Sequence, residues 1–202
     1  CNCNSERLMI PGNANPLLLA SAAADTAAAG LIKSLRFNEY DNAYLSRTPA
    51  SAGNRKTWTW SSWVKVNRVD YNNLFSNLVS NDNGLYVFWS SGRFYIQDYG
   101  LTGGASVYTE REQFRDFSGW YHIVISYDTT QATASNRVKI YINGVQEAVQ
   151  GTQPTQNVDG YWNSTETCLI GRQDLNVSAY DYNGYMADIY FIDGSALDAS
   201  SF

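Results

Sequence analysis

One histidine, three cysteines, two methionines and four prolines are all that 202 residues supply, and each scarcity excludes something. His122, the lone histidine, rules out a histidine-rich metal site. Three cysteines make neither a closed disulfide framework nor a four-ligand zinc centre. Cys1 and Cys3 stand two positions apart, and Cys168 lies far off in TCLIGR. Charged residues amount to only 16%, with Asp plus Glu (19) outnumbering Lys plus Arg (14). No basic stripe is visible, which argues against a nucleic-acid binder. The net charge of −5 serves mainly solubility. Long apolar runs are also missing. LLLASAAADTAAA (Leu17 to Ala29) is short and interrupted by Asp25, so no membrane span is expected. Residues 1–16 carry no basic segment ahead of a long apolar stretch, as a signal peptide would. An N-terminal Cys fits a lipid anchor or the loss of an initiator Met, and the second is the plainer reading.

What is abundant is aromatic. Rings make up 14% of the chain, with 15 Tyr and 6 Trp. They fall in alternating segments: WTWSSWVKV (Trp58 to Val66), GWYHIVISYD (Gly119 to Asp128) and RVKIYINGV (Arg137 to Val145). Period-two alternation of aromatic and β-branched residues, closed by polar or Gly turns, marks antiparallel strands with one buried face. In the first segment Trp58, Trp60, Ser62 and Val64 point one way, and Thr59, Ser61, Trp63 and Lys65 the other. Further strands are expected at NNLFSNLVS, LYVFWS, RFYIQD, Thr167 to Arg172 and GYMADIYFID, and Asn143-Gly144 is a two-residue hairpin turn. GLTGGAS (Gly100 to Ser106) and Gln150 to Asn163 read as loops. No helix is expected beyond residue 30. Many short strands separated by turns predict an all-β antiparallel sandwich or jelly roll. Residues 1–30, polar and then Ala-rich, read as an irregular or short-helical arm that docks on a partner, and 31–202 as the globular domain.

The run from Leu35 onward resembles the laminin-G-like, concanavalin-A-like jelly roll. LRFNEYDNAYLS is similar to its opening strand and turn, WTWSSWVKV to its Trp-Val strand, and GWYHIVISYD to its Trp-x-His-Val strand. VKIYINGV is similar to its hairpin, and CLIGR with YNGYMADIYFIDGSAL to its close. SLRFNEYDNAYLSRTPASAGNRKTWTWSSWVKV and YMADIYFIDGSALDASSF are further similar to LamG-type domains in structural proteins of tailed bacteriophages. The resemblance implies a virion-surface structural protein: a fibre, spike or capsid decoration. Residues 1–30 would then meet other virion proteins, and a homo-oligomer is expected. The alternative is a secreted or lipid-anchored bacterial carbohydrate-binding module.

No catalytic residues are assigned. The Glu-x-Asp-x-x-Glu strand of jelly-roll glycosidases is absent, and Glu110 and Glu112 read as a solvated charge cluster. His122, mid-strand, reads as a structural histidine. The resemblance implies one calcium ion at the rim, held by Asp41, with Asn38 or Glu39 nearby, and by Asp188. Sugars stack on exposed rings and bond to Asp, Asn and Arg. Loop aromatics therefore point to glycan binding by Tyr161, Trp162, Tyr180, Asp181 and Tyr182, with Tyr99 a further ring.

Overall fold

The computed structural model describes residues 33–202 except 69, 81–82, 100–103, 112–113, 115 and 175–179, with 78–80 described by backbone only. The expected arm, Cys1, Cys3 and Glu112 lie outside these residues. Among the described residues the chain forms β1 (Leu35–Phe37), β2 (Leu45–Arg47), β3 (Thr57–Val66), β4 (Asn72–Ser80), β5 (Asn83–Ser90), β6 (Arg93–Tyr99) and β7 (Ala105–Thr109). There follow β8 (Tyr121–Asp128), β9 (Val138–Ile142), β10 (Val145–Gln146), β11 (Val149–Thr152), β12 (Cys168–Ile170) and β13 (Gly184–Asp193). The described helical segments are three-residue 3-10 turns. Ser34–Phe202 forms one unit.

The strands make two antiparallel sheets, ordered β1-β13-β3-β8-β9-β10 and β11-β7-β6-β5-β4-β12-β2. This is the expected sandwich. β3 alternates as its sequence predicts. Trp58, Trp60, Val64 and Val66 enter the core, while Trp63 and Lys65 stay partly exposed on the other face. Trp60 stacks on Phe75 of the opposite sheet at 4.1 Å, and Trp58 on Tyr127 at 4.7 Å. Each fully buried large side chain contributes about 1.5–3 kcal/mol, and such ring pairs about 0.5–1.5 kcal/mol more. Asn143 (φ 51°) and Gly144 (φ 82°) form the expected hairpin turn between β9 and β10.

Two strands were not expected. β7 and β11, read as loop from their Gly, Gln and Thr content, pair with each other at the edge of the seven-stranded sheet. Pairing fixes them rather than propensity: β7 is held by β6 on one side, and β11 by β7.

The segment after β13 folds back across the outer face of the six-stranded sheet. Thr59 donates to the Ser195 carbonyl (2.6 Å) and accepts from the Leu197 N–H (2.8 Å). This strap explains why Thr59, Ser61 and Val124, which point away from the core, are nonetheless buried.

A carboxyl group sits inside the sandwich. Asp98 is fully buried, and its Oδ2 accepts from the Tyr127 hydroxyl at 3.2 Å. Burial pushes its carboxyl up to about 7, against the Tyr161 N–H, the Tyr127 hydroxyl and Arg55, which favour the ionised form. The folded state thus keeps a proton that the unfolded chain releases near pH 4. The stability this provides is complete below pH 4 and is lost as pH rises through about 7. Urea unfolding of the wild type across pH 4–8 is expected to show a fall of up to about 4 kcal/mol from this group. Asp98→Asn, neutral at every pH, removes that fall. An unchanged pH profile in the variant would show that Asp98 ionises freely in the folded state.

Candidate functional site

One opening enters the sandwich beside β2 and β12. It is a cavity of about 600 Å³ between the sheets. Its floor is apolar: Trp60 from β3, Trp162 from the loop before β12, Ile170 from β12 and Phe191 from β13. Its mouth is polar: Ser46 and Arg47 from β2, Ser51 and Gly53 from the next loop, Asn163 and Asp193. Three segments are stapled together there. Asp193 Oδ1 accepts from the Asn54 N–H and from Asn163 Nδ2, both at 2.8 Å. The Gly53 N–H donates to the Asn163 carbonyl at 3.0 Å. A Cβ on Gly53 would collide with Asn163 and the Asp193 carboxylate, so only glycine lets the loop approach this closely.

Arg47 is exposed and forms no hydrogen bond or ion pair among the described residues. Its guanidinium and the Asp193 carboxylate are the two charged groups lining the described cavity, and Asp193 is held by neutral amide donors. The Cys168 thiol lines the same cavity, unpaired, and burial pushes its pKa up, against Asn77, a backbone N–H and Arg47.

A second depression, about 450 Å³, lies on the outer face of the six-stranded sheet. It gathers Ser61, Trp63, His122, Asp188, Tyr190, Ser201 and Phe202. Ser61 Oγ and His122 Nε2 are 2.9 Å apart. This resembles two members of a hydrolytic triad, but the third is not in place. Asp188 makes no hydrogen bond to His122 among the described residues. The imidazole is instead oriented by stacking on Trp63 at 4.9 Å. Ser61 stands in a strand paired on both sides, which leaves no pair of free backbone donors for an oxyanion. His122, expected to be structural, has its pKa lowered by burial, with Asp188 acting in the opposite sense.

The five residues expected to bind glycan do not form one site. Trp162 is only 4% exposed and stands edge-on to Trp60 and Phe75, so it is a core ring that floors the cavity rather than a surface platform. Tyr161 is half-buried against the same core. Tyr182 is fully buried, edge-on to Phe37 and Trp89, and its hydroxyl donates to the Lys65 carbonyl. Asp181 is 2% exposed, with Arg172 Nε 3.7 Å from its carboxylate, and has no face toward solvent sugar. Burial raises its pKa to about 6, against the pull of Arg172.

Tyr180 alone is exposed, on the outer face of the seven-stranded sheet. There Tyr180, Tyr71, Phe88, Tyr95 and Tyr108 run ring to ring at 4.2–5.3 Å. Most of these rings stack face to face, so their faces are already occupied and solvent meets their edges. Tyr99 belongs to the same surface, beside Tyr86. Glu110 is exposed, as a solvated charge should be.

The expected calcium ligands are also apart. β1 pairs Phe37 with Gly184 and Leu35 with Met186, so the chain after Phe37 runs off the start of β13, away from Asp188. Asp41 is exposed and accepts from Asn38 Nδ2 at 2.6 Å. Glu39 is tied to Arg68 and Asn183. Asp188 lies in the second depression. Calcium needs six to eight oxygens around one point, and Asp41 with Asp188 do not fit that requirement. Among the described residues no three carboxylate, histidine or cysteine side chains gather as a metal site.

A family model described as "concanavalin A-like lectin/glucanases superfamily" matches residues 37–200. The chain belongs to that superfamily. No curated protein sequence matches it. Among solved structures, this superfamily member is similar to domains LG4-5 of the mouse laminin α1 chain (TM-score 0.61, 10% identity, covering 83% of this chain and 44% of that one). It is also similar to a SAP-like pentraxin from Limulus polyphemus (0.58, 16%, 81% and 76%). A third is the CBM40 of Ruminococcus gnavus IT-sialidase bound to α2,3 sialyllactose (0.50, 13%, 78% and 95%). The chain thus spans less than half of the laminin fragment it matches. At these identities the likeness establishes the shared jelly roll.

Sequence reasoning missed the polar mouth. Asp193-Gly194 reads as a plain turn, and Arg47 and Asn163 carry no motif. The signal available was Trp162 itself, a large ring in a polar loop that needs a core to enter. Trp162→Ala is expected to cost about 3–5 kcal/mol in equilibrium unfolding. A loss under about 1 kcal/mol would mean that Trp162 is a surface ring after all.

Proposed function

We propose that this chain is a non-catalytic glycan-binding module whose ligand enters the cavity beside β2 and β12. The observation that carries this reading is the cavity's composition: an aromatic floor under a mouth of Asp193, Asn163, Arg47 and serines. Sugars need an apolar wall for their C–H faces and fixed polar groups for their hydroxyls. A volume of about 600 Å³ suits a small ligand rather than a protein surface. The Asp193 Oδ1 bonds hold the mouth in place before a ligand arrives, and preorganisation reduces the cost of binding. Arg47, without a partner among the described residues, selects for an acidic sugar. The similar fold of a carbohydrate-binding module bound to sialyllactose supports this direction.

The setting we propose is the virion surface of a tailed phage, where the module adheres to host or environmental glycans and residues 1–30 attach it to other virion proteins. The LamG-type sequence runs support this setting. A secreted or lipid-anchored bacterial module is the alternative.

The test is glycan-array screening followed by calorimetry, with and without calcium. Sialylated or other acidic glycans are expected to bind, and Arg47→Ala to weaken them by about tenfold or more with an unchanged melting temperature. Full binding in Arg47→Ala would move the site elsewhere. No glycan bound under either condition would overturn the function.

A further inference from the structure

The second depression is built around a carboxylate without a counter-charge. Asp188 sits in a β-bulge, where Ile189 and Asp188 together face one residue of β3 between the pairs Ala187–Trp63 and Tyr190–Ser61. Its backbone is left-handed, with φ of 46°. Aspartate tolerates that region better than most residues, but at some cost within a strand. Bulges re-aim side chains, and this one turns Asp188 into the depression.

No hydrogen bond or ion pair to Asp188 forms among the described residues. The lysines of this face lie beside other acids, Lys65 near Asp116 and Lys139 near Asp198. The group that feels Asp188 is His122, whose Nε2 is already engaged with Ser61.

Around the carboxylate stand three rings. Tyr190 is 50% exposed and Phe202 42%, with their centroids 6.2 Å apart, and Trp63 lies against His122. Ser61 Oγ and His122 Nε2 are paired with each other. The charged side chain lining the depression is the Asp188 carboxylate, an acceptor set beside the rings of Trp63, Tyr190 and Phe202, whose π-faces carry negative potential. Such faces attract a cation whose own surface is apolar, because it loses little hydration on entering.

We propose that this depression binds a quaternary or trimethylated ammonium group, with Asp188 as counter-ion and Trp63, Tyr190 and Phe202 as the aromatic wall. The site is separate from the glycan cavity and does not rest on it. A free small cation and a lipid headgroup present the same chemistry, and the depression's about 450 Å³ leaves room for the rest of either.

Choline and tetramethylammonium, titrated into the full chain and followed by tryptophan fluorescence and calorimetry, are expected to bind one to one. The uncharged isostere 3,3-dimethylbutan-1-ol is expected to bind about tenfold more weakly or not at all. Asp188→Asn keeps the size and suits the left-handed backbone, so it should fold, and it is expected to weaken choline by about tenfold. Tyr190→Ala, at an exposed position, gives a second loss that does not depend on the bulge. Co-sedimentation with phosphatidylcholine vesicles, competed by choline, would assign the group to a lipid headgroup. Choline binding without vesicle binding would assign it to a free solute, and either supports the site. Equal binding of choline and its neutral isostere, or choline binding unchanged in Asp188→Asn, would overturn it, as would no binding at all.

Discussion

The contact on which the structure depends is that of Trp60 with Phe75 across the gap between the sheets. β3 lies inside the six-stranded sheet, paired with β13 on one side and β8 on the other. A one-residue slip would send Trp58 and Trp60 to solvent and Trp63 and Lys65 to the core. The ring stack at 4.1 Å forbids this, and Trp162 and Phe191 close round the same point. Closely packed interiors resist small displacements. One register therefore decides which residues floor the cavity and which line the outer depression.

β13 answers β3 by breaking its own alternation once. Before the bulge Met186 faces the core, opposite Val64. After it Phe191 faces the core opposite Trp60, and Tyr190 faces out opposite Ser61. Without the extra residue, Tyr190 would point inward and Phe191 outward. The bulge at Asp188 thus lets one strand serve a wide core and a polar outer pit, at the cost of a strained backbone.

The sandwich could be read from the chain because strands buried on one face show in the alternation of their side chains. β3, β8 and β9 carry that signal with large rings and β-branched residues. β11 lacks it, since an edge strand of Val, Gln, Gly and Thr has little apolar surface to alternate, and β7 carries it over only five residues. The sites were less legible for a related reason. A polar loop around an aromatic is ambiguous between a platform and a plug. Trp162 and Tyr182 are plugs, and each is settled by long-range partners, such as the Lys65 carbonyl for the Tyr182 hydroxyl. Asp188 did signal itself, as a carboxylate in an apolar strand. Its meaning changed because the antiparallel register carries Asp41 away from it. Arg47 gave no sign, since an exposed arginine is ordinary until the cavity beneath it is seen.

The two openings share a wall. Trp60 and Phe191 floor the cavity, while their chain neighbours Ser61 and Tyr190 line the pit on the other side of the same strand pair. Sequence proximity here implies opposite faces, because side chains alternate across a sheet. Substitutions one position apart should therefore read out on different ligands. The wall between them is paired on both edges and packed against a second sheet, with no alternative register to adopt. Two sites are coupled only when both bias an element that has two arrangements. β3 has one, so occupancy of either opening is felt by the other through long-range charge alone. Arg47 stands at the mouth of the cavity between the sheets and Asp188 on the outer face of the six-stranded sheet, and solvent screens what passes between them over about a Debye length.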